Sequence, residues 1–265
     1  MPELPEVETY RRQLEKSLKG KKIKDIEVRP DNIVFEGRSP TFVKKALVGG
    51  KIKKLNRKGK YLWFDLNTSL SPIFHLGMTG SYLITDEKPD MKMKSIKLVL
   101  EMQDGTFMVF KDPRRFGRII FLEDPLKKKP LNHLGPDVLN ELPPLREFKS
   151  LFENRKAPVK AILLDQSVLS GIGNWMADEI LFQSGIAPHR SCNTLTSLEF
   201  KALHSKIKSV TKLSVNAGAD DGKYPKSWLF HHRWGRKAGV TSQGNQIKHS
   251  TVGGRSTAWV PHKQK

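Results

Sequence analysis

The feature that most constrains the fold of this 265-residue chain is a change of hydrophobic period near its middle. Up to Phe121 the apolar residues come in short alternating or continuous runs: KIKDIEVRP, KYLWFDL, SPIFHLGMTGSYLI, IKLVLEM, TFMVFKD and RRFGRIIFLED. Turn residues such as Asp104-Gly105 separate them, and this pattern predicts antiparallel strands closing into a sandwich or barrel. From Leu145 onward the signals are helical, in LREFKSLFENR, VKAILLD, GNWMADEILFQSG and LTSLEFKALHSKIKSVTKLSVNAG. The stretch between, DPLKKKPLNHLGPDVLNELPPLREF, is rich in proline and reads as a connection. The expectation is an α+β chain of two domains, residues 1–131 and 145–265, joined by a linker at 132–144. The tail QIKHSTVGGRSTAWV adds a hairpin turning at Gly253-Gly254, part of a finger spanning about 235–261.

The first residues, MPELPEVET, predict a helix from Pro5 to Lys19, with Val7, Tyr10, Leu14 and Leu18 on one face and Gly20 as its stop. Pro5 suits a first helical turn, and Glu6 and Glu8 complement the helix dipole. That reading accounts for Pro5, Glu6 and Glu8 but leaves Pro2 unexplained. Removal of Met1 would expose a secondary amine at Pro2. An α-amino group titrates near 7.7–8, against about 10.4 for lysine, so far more of it is nucleophilic at pH 7. Such an amine can attack the anomeric carbon of a nucleoside sugar and form a Schiff base. Glu3 beside it can move protons, and Glu6 can hold the amine in place.

Charge narrows the partner. Lys and Arg number 47 against 27 Asp and Glu, a formal net charge of +20, which favours a polyanion. No stretch approaches the roughly 18 apolar residues that span a bilayer, so nucleic acid is favoured over lipid. Residues 42–60, FVKKALVGGKIKKLNRKGK, hold eight basic side chains, a stripe able to neutralise phosphates or simply to face solvent. The single cysteine, Cys192, excludes an internal disulfide and a multi-cysteine zinc site. In GIGNWMADE, Gly171 and Gly173 permit tight turns and Asn174 opens the next helix, either as its N-cap or as part of a phosphate clamp.

These motifs together resemble the Fpg/Nei family, the formamidopyrimidine-DNA glycosylases and their endonuclease VIII-like relatives. The opening PELPEVE is similar to the Fpg branch, and RKGKYLWFDL, HLGMTGSY, KDPRRFG, LGPD, LLDQSVLSGIGNWMADEILFQSGIAPHR and GGRSTAWVP follow in order along nearly the whole chain. The resemblance implies an N-terminal β-sandwich with flanking helices, then a helix-two-turns-helix domain with a β-hairpin finger. It implies a bifunctional base-excision-repair glycosylase and AP lyase acting by β,δ-elimination on damaged double-stranded DNA. Pro2 would be the nucleophile, Glu3 the acid/base residue and Glu6 a helper. Lys60, His75, Asn174 and Arg255 match phosphate contacts, with Lys60 also counted as catalytic. Met78, Arg114 and Phe116 match a triad that fills the gap left by a flipped nucleotide. No cofactor, no metal and no membrane partner are implied, and a monomer is expected. A packed strand histidine at 75 and a plain turn at DPRRFG remain open.

The chain departs from the bacterial pattern twice. No cysteine follows Cys192, so the finger resembles the zincless type of plant and fungal Fpg proteins, with Val252, Trp259 and Val260 expected to pack it. On that resemblance the location would be intracellular and DNA-associated, the nucleus in a eukaryote. The loop NAGADDGKYPKSW before WGRK is several residues shorter than in the bacterial enzymes, where it folds over 8-oxoguanine. Formamidopyrimidines and hydantoins are therefore the expected lesions. The competing reading is a non-catalytic damage-binding protein of the same fold.

Overall fold

The computed structural model describes residues 2–235 and 239–265 and divides them into two compact units. The first holds Pro2 and Glu6–His133; the second holds Glu3–Pro5 and Leu134–Lys265. The expected linker at 132–144 is thus split, and most of it folds with the second unit. There Gly135 donates to the Gln166 carbonyl, Val138 to that of Ser170, and Asp137 bridges Ser170 in a short parallel pair.

The first unit is the predicted sandwich. Eight strands form two antiparallel four-stranded sheets: β1 (Ile23–Val28), β2 (Ile52–Lys58), β3 (Tyr61–Leu66), β4 (Ser71–His75), β5 (Ser81–Thr85), β6 (Ile96–Met102), β7 (Phe107–Lys111) and β8 (Arg118–Leu122). One sheet runs β1-β6-β7-β5 and the other β2-β3-β4-β8. The run SPIFHLGMTGSYLI therefore supplies one strand to each sheet, and the turn at GMTG carries the chain across. Inward residues of both sheets, among them Leu98, Leu100, Phe110, Phe64, Phe74 and Ile119, form one core with Val7, Leu14 and Leu18 of α1 (Leu4–Leu18). Each such side chain contributes about 1.5–3 kcal/mol by leaving water.

One element escaped the sequence reading. Residues of the basic stripe form α2 (Pro40–Leu47), which opens with Pro40 in its first turn and Ser39 accepting from the Phe42 N–H. Buried Val43, Ala46 and Leu47 are its core face, so Lys44 and Lys45 belong to a helix while Lys53, Lys54 and Lys58 belong to β2.

The second unit is helical, with α3 (Leu145–Ser150), α4 (Val159–Leu164), α5 (Asn174–Ser184) and α6 (Ser197–Asn216). α6 starts at a capping box between Thr196 and Glu199, and α5 stops at Gly185 in the left-handed region. The turns between α4 and α5 are closed by Gln166, whose amide donates to the Leu164 and Ile172 carbonyls while its oxygen accepts from the Gly171 N–H. β10 (Gln246–Val252) and β11 (Arg255–Trp259) form the predicted hairpin at Gly253-Gly254, with β9 (Gly239–Val240) on its edge. WGRK and the finger's start reach into residues 236–238, which lie outside the described residues, as does Met1. Among the described residues no helix is long and apolar enough to cross a membrane.

Candidate active site and nucleic-acid grip

In the second unit, Glu3 is buried with its carboxylate on the first turn of α5. Oε1 accepts from the Trp175 N–H at 2.9 Å and Oε2 from the Met176 N–H at 3.1 Å. Helix N-termini leave these donors unpaired and attract negative charge, so the seat suits a carboxylate, whose oxygens accept. The neighbouring glycines are required by this approach. A Cβ on Gly173 would lie 2.1 Å from the Glu3 Cδ, and one on Gly171, whose φ is +112°, would lie 2.3 Å from the Leu4 side chain. Gly173 itself is extended, at φ −121°, so it serves close approach and not the tight turn expected there.

Asn174 is also placed differently from expectation. Gly173 is the N-cap and Asn174 the first helical residue; its amide donates to the Ser256 carbonyl at 2.9 Å, while its Oδ1 is buried with no partner among the described residues. The α5 donors are taken by Glu3, so any phosphate contact at Asn174 must come from outside that pair. Arg255, exposed, follows the Gly253-Gly254 turn and directly precedes Ser256, so Asn174 and Arg255 are brought together.

The finger's attachment was not read from the sequence. Asp178 of α5 pairs with Lys160 of α4 at 2.6 Å and with Arg233 at 2.7 Å, and it accepts from the Ala258 N–H of β11 at 3.1 Å. Lys160 also donates to the Ser256 carbonyl and the Thr257 hydroxyl. A lysine inside the apolar run VKAILL was the available signal, because lysines are fully buried almost only when paired. Val252 and Val260 are buried as expected, and Trp259 packs edge-on to His189 at 5.0 Å. The finger segment carries no cysteine, and among the described residues no three His, Cys, Asp or Glu side chains converge as metal ligands, so its residues do not fit a zinc ion.

The loop of residues 216–228 is tied into the helical core. Tyr224 and Trp228 are buried; Tyr224 stacks on Trp175 at 5.8 Å and lies 5.0 Å from Trp228.

In the first unit, Lys60 sits with Gly59 in the two-residue turn joining β2 to β3. Arg57 holds that turn by donating to the Gly59 carbonyl at 2.9 Å and to Glu8 at 3.0 Å. Glu8 is therefore more than a dipole complement. Burial opposes its charge, but the guanidinium groups of Arg11, Arg12 and Arg57 outweigh it and hold its pKa down to about 2. Glu6 lies in the first turn of α1, half-buried, where its charge raises the pKa of Tyr10 beyond the effect of burial.

His75 ends β4, its ring 4.7 Å from that of Tyr61. Burial, then the charges of Lys60 and Arg118, lower its pKa to about 4, so the ring is neutral at pH 7. The Gly77 N–H donates to its Nδ1 at 3.2 Å, which assigns the proton to Nε2 and makes His75 a neutral donor.

Met78 and Phe116 are exposed apolar side chains on two loops of the same unit. The loops abut: a Cβ on Gly77 would lie 2.4 Å from the Phe116 carbonyl. Fully buried Asp112 joins them, accepting from the Thr79 hydroxyl at 2.8 Å and the Gly117 N–H at 2.7 Å. The consecutive arginines diverge. Arg115, in the left-handed region at φ 60°, is bound to Asp31 at 2.9 Å, whereas the Arg114 guanidinium lies 4.7 Å from the centre of the exposed Phe116 ring.

Comparison with known proteins meets this geometry at each unit. The model of the formamidopyrimidine-DNA glycosylase N-terminal domain matches residues 1–119, and that of the formamidopyrimidine-DNA glycosylase H2TH domain matches residues 134–224. The chain belongs to the formamidopyrimidine-DNA glycosylase family. It is 38% identical to the Arabidopsis thaliana enzyme, over all of this chain and 71% of that protein. To the Bacillus subtilis enzyme it is 35% identical, over 97% of this chain and 96% of that one. Among solved structures it resembles the Lactococcus lactis glycosylase non-covalently bound to DNA containing an AP site, with a TM-score of 0.84 at 28% identity. It also resembles MutM in complex with DNA containing carbocyclic 8-oxo-G, with a TM-score of 0.86 at 30% identity. Both likenesses cover the full length of each chain. As a member of this family the chain is a base-excision-repair DNA glycosylase with AP lyase activity.

Proposed function

We propose that this glycosylase works on damaged double-stranded DNA as a monomer through the N-terminal amine of Pro2, freed by removal of Met1. The nitrogen lone pair forms a bond to C1′ of a flipped nucleotide while the C1′–base bond breaks, and the base leaves with that electron pair and a proton. Opening of the C1′–O4′ bond then gives the iminium, with Glu3 relaying a proton to O4′. Loss of the C2′ proton expels the 3′ phosphate, and a second elimination expels the 5′ phosphate. The observation that carries this reading is the seat of Glu3. Two backbone N–H groups and two sterically required glycines fix a carboxylate one residue from the terminal amine.

Glu6 steadies the start of α1. Lys60, His75, Asn174 and Arg255 grip phosphates, His75 as a neutral Nε2 donor. Phe116 wedges between base pairs, Met78 fills the vacated space and Arg114 meets the orphaned base. Formamidopyrimidines and hydantoins are preferred over 8-oxoguanine, because the short loop spends Tyr224 and Trp228 on its own core and offers few groups to a base. The enzyme acts where the DNA is, which in a eukaryote is the nucleus.

Borohydride trapping on DNA carrying an abasic site tests the chemistry. The native chain is expected to give a covalent adduct, and Pro2→Gly or a chain retaining Met1 to give little or none. Wild-type trapping by the variants refutes Pro2 as the sole nucleophile, and absence of trapping by the native chain favours a damage-binding protein. Efficient release of 8-oxoguanine opposite cytosine refutes the lesion preference.

A further inference from the structure

Three consecutive residues after Arg255 are pinned to the helices of the second unit by Lys160, Asn174 and Asp178, of which only Asn174 has a part in the function proposed above. The Ser256 carbonyl accepts from Lys160 at 3.0 Å and from Asn174 at 2.9 Å. The Thr257 hydroxyl accepts from Lys160 at 2.7 Å and donates to the Arg255 carbonyl at 3.0 Å. The Ala258 N–H donates to Asp178 at 3.1 Å. On the other side of the turn Gly253 rests on α4, where its Cβ would lie 2.9 Å from that of Ala161.

The bonds made by Lys160 and by the Ala258 N–H lead to one carboxylate. Asp178 is the counter-ion of both Lys160 and Arg233, and the three side chains are at most 7% exposed. Glu3 and Glu179 are the further carboxylates whose charges reach this cluster, Glu3 at Lys160 and Glu179 through Arg233 and Asp178. Burying two cations and an anion is costly, and a hairpin packed only by Val252, Val260 and Trp259 would not need them. What the charges supply is direction: ion pairs and hydrogen bonds hold β11 in one register against α4 and α5, which apolar contacts alone do not.

We infer that Asp178 is the positioning residue of the finger. Through Lys160, Arg233 and the backbone of 256–258 it fixes Arg255 beside Asn174, so that the two address one phosphate of the damaged strand. The inference rests on the reading of Arg255 as a phosphate contact. A two-stranded hairpin has little stability of its own, so its arginine is useful only if the strand beneath it is held. In this chain the holding group is a buried carboxylate of the helix that also seats Glu3.

The test is the salt dependence of binding to duplex DNA carrying a tetrahydrofuran abasic analogue, measured by fluorescence anisotropy for the full chain. The variants are Arg255→Ala, Asp178→Ala, their combination, and the near-isosteric Thr257→Val. Arg255→Ala is expected to weaken binding roughly tenfold, as loss of a charged hydrogen bond does. It should also reduce the slope of log affinity against log salt by about one phosphate's worth. Asp178→Ala should reproduce both changes, and the double variant should be no worse than either single one. Thr257→Val, which leaves the Lys160–Asp178 pair in place, should give a smaller loss of affinity in the same direction. A merely structural Asp178 would lower the folded fraction without altering the slope. An unchanged slope in both Asp178→Ala and Thr257→Val, or additive losses with Arg255→Ala, overturns the positioning role. Unchanged binding in Arg255→Ala refutes the finger's grip, and the positioning role falls with it.

Discussion

Two buried aspartates do the same structural task with opposite chemistry. In the first unit Asp112 joins the loops of Met78 and Phe116 through a hydroxyl and a backbone N–H, both neutral donors. In the second unit Asp178 joins the finger to the helices through two cations and one N–H. The loops at Asp112 are neighbours already pressed together at Gly77, so two directional bonds suffice to set their spacing. The finger returns to α5 across a gap of some 80 residues in sequence, and its attachment relies on charge. Neutral welds are cheap to bury and cheap to lose; ionic welds are neither.

The difference can be broken most sharply at Asp178. Asp178→Ala strands two buried cations and is expected to cost about 3–5 kcal/mol in urea unfolding of the second unit. A loss below that of Asp112→Ala would remove the contrast. Gly173→Ala tests the seat of Glu3 instead. Its new Cβ displaces the carboxylate, and excision is expected to fall about 100-fold, the scale of an ångström-sized misplacement. Single-turnover kinetics with a formamidopyrimidine duplex reads this.

Asp112→Ala should cost about 1–3 kcal/mol, the price of an unpaired buried donor, and slow excision from duplex through loosening of the two loops. The pH dependence of the first unit sharpens the picture further. His75 has a folded pKa of about 4, below the 6.5 of a free histidine, so the unfolded chain takes up its proton first. Stability from this group is complete above pH 6.5 and declines as pH falls from 6.5 toward 4. His75→Gln should flatten that part of the urea-midpoint profile, and an unaltered profile would show that the ring is not held neutral. The smallest contrast is between the adjacent arginines. Arg115→Ala should lower stability by at most about 1 kcal/mol, since its bridge to Asp31 is half exposed, and leave lesion binding near normal. Arg114→Ala should do the reverse.

Much of the fold was legible because periodicity reports which face is buried. The strand runs became strands, and the sandwich and the hairpin at Gly253-Gly254 followed from local patterns. Helix α2 was missed because its lysines dominate the stretch and only three of its residues face the core. The proline-rich stretch 132–144 reads as a linker because the pairing partners of its residues 135 and 138, Gln166 and Ser170, are distant in sequence.

The proposed site divides in the same way. Pro2, Glu3, Lys60, His75, Met78, Arg114, Phe116, Asn174 and Arg255 could be named, as could Glu6, because they stand in motifs that match the family's. Their supports could not. Arg57, Asp112, Asp178 and Arg233 look like ordinary charged residues in sequence; only Lys160, inside the apolar run VKAILL, carries a signal. Nothing local tells that Asn174 reaches the finger, that Gly173 makes room for a carboxylate, or that Arg115 rather than Arg114 is tied down.

By itself the sequence determined the two-domain layout, the charge that calls for a polyanion and the candidate chemistry of the first residues, because each is encoded in neighbours along the chain. Only the tertiary structure decided which glutamate is seated on α5, which of two adjacent arginines is tied to Asp31 and what holds the finger. Those outcomes depend on donors and acceptors that meet across tens of residues, where burial makes every unpaired group costly and so selects a single arrangement.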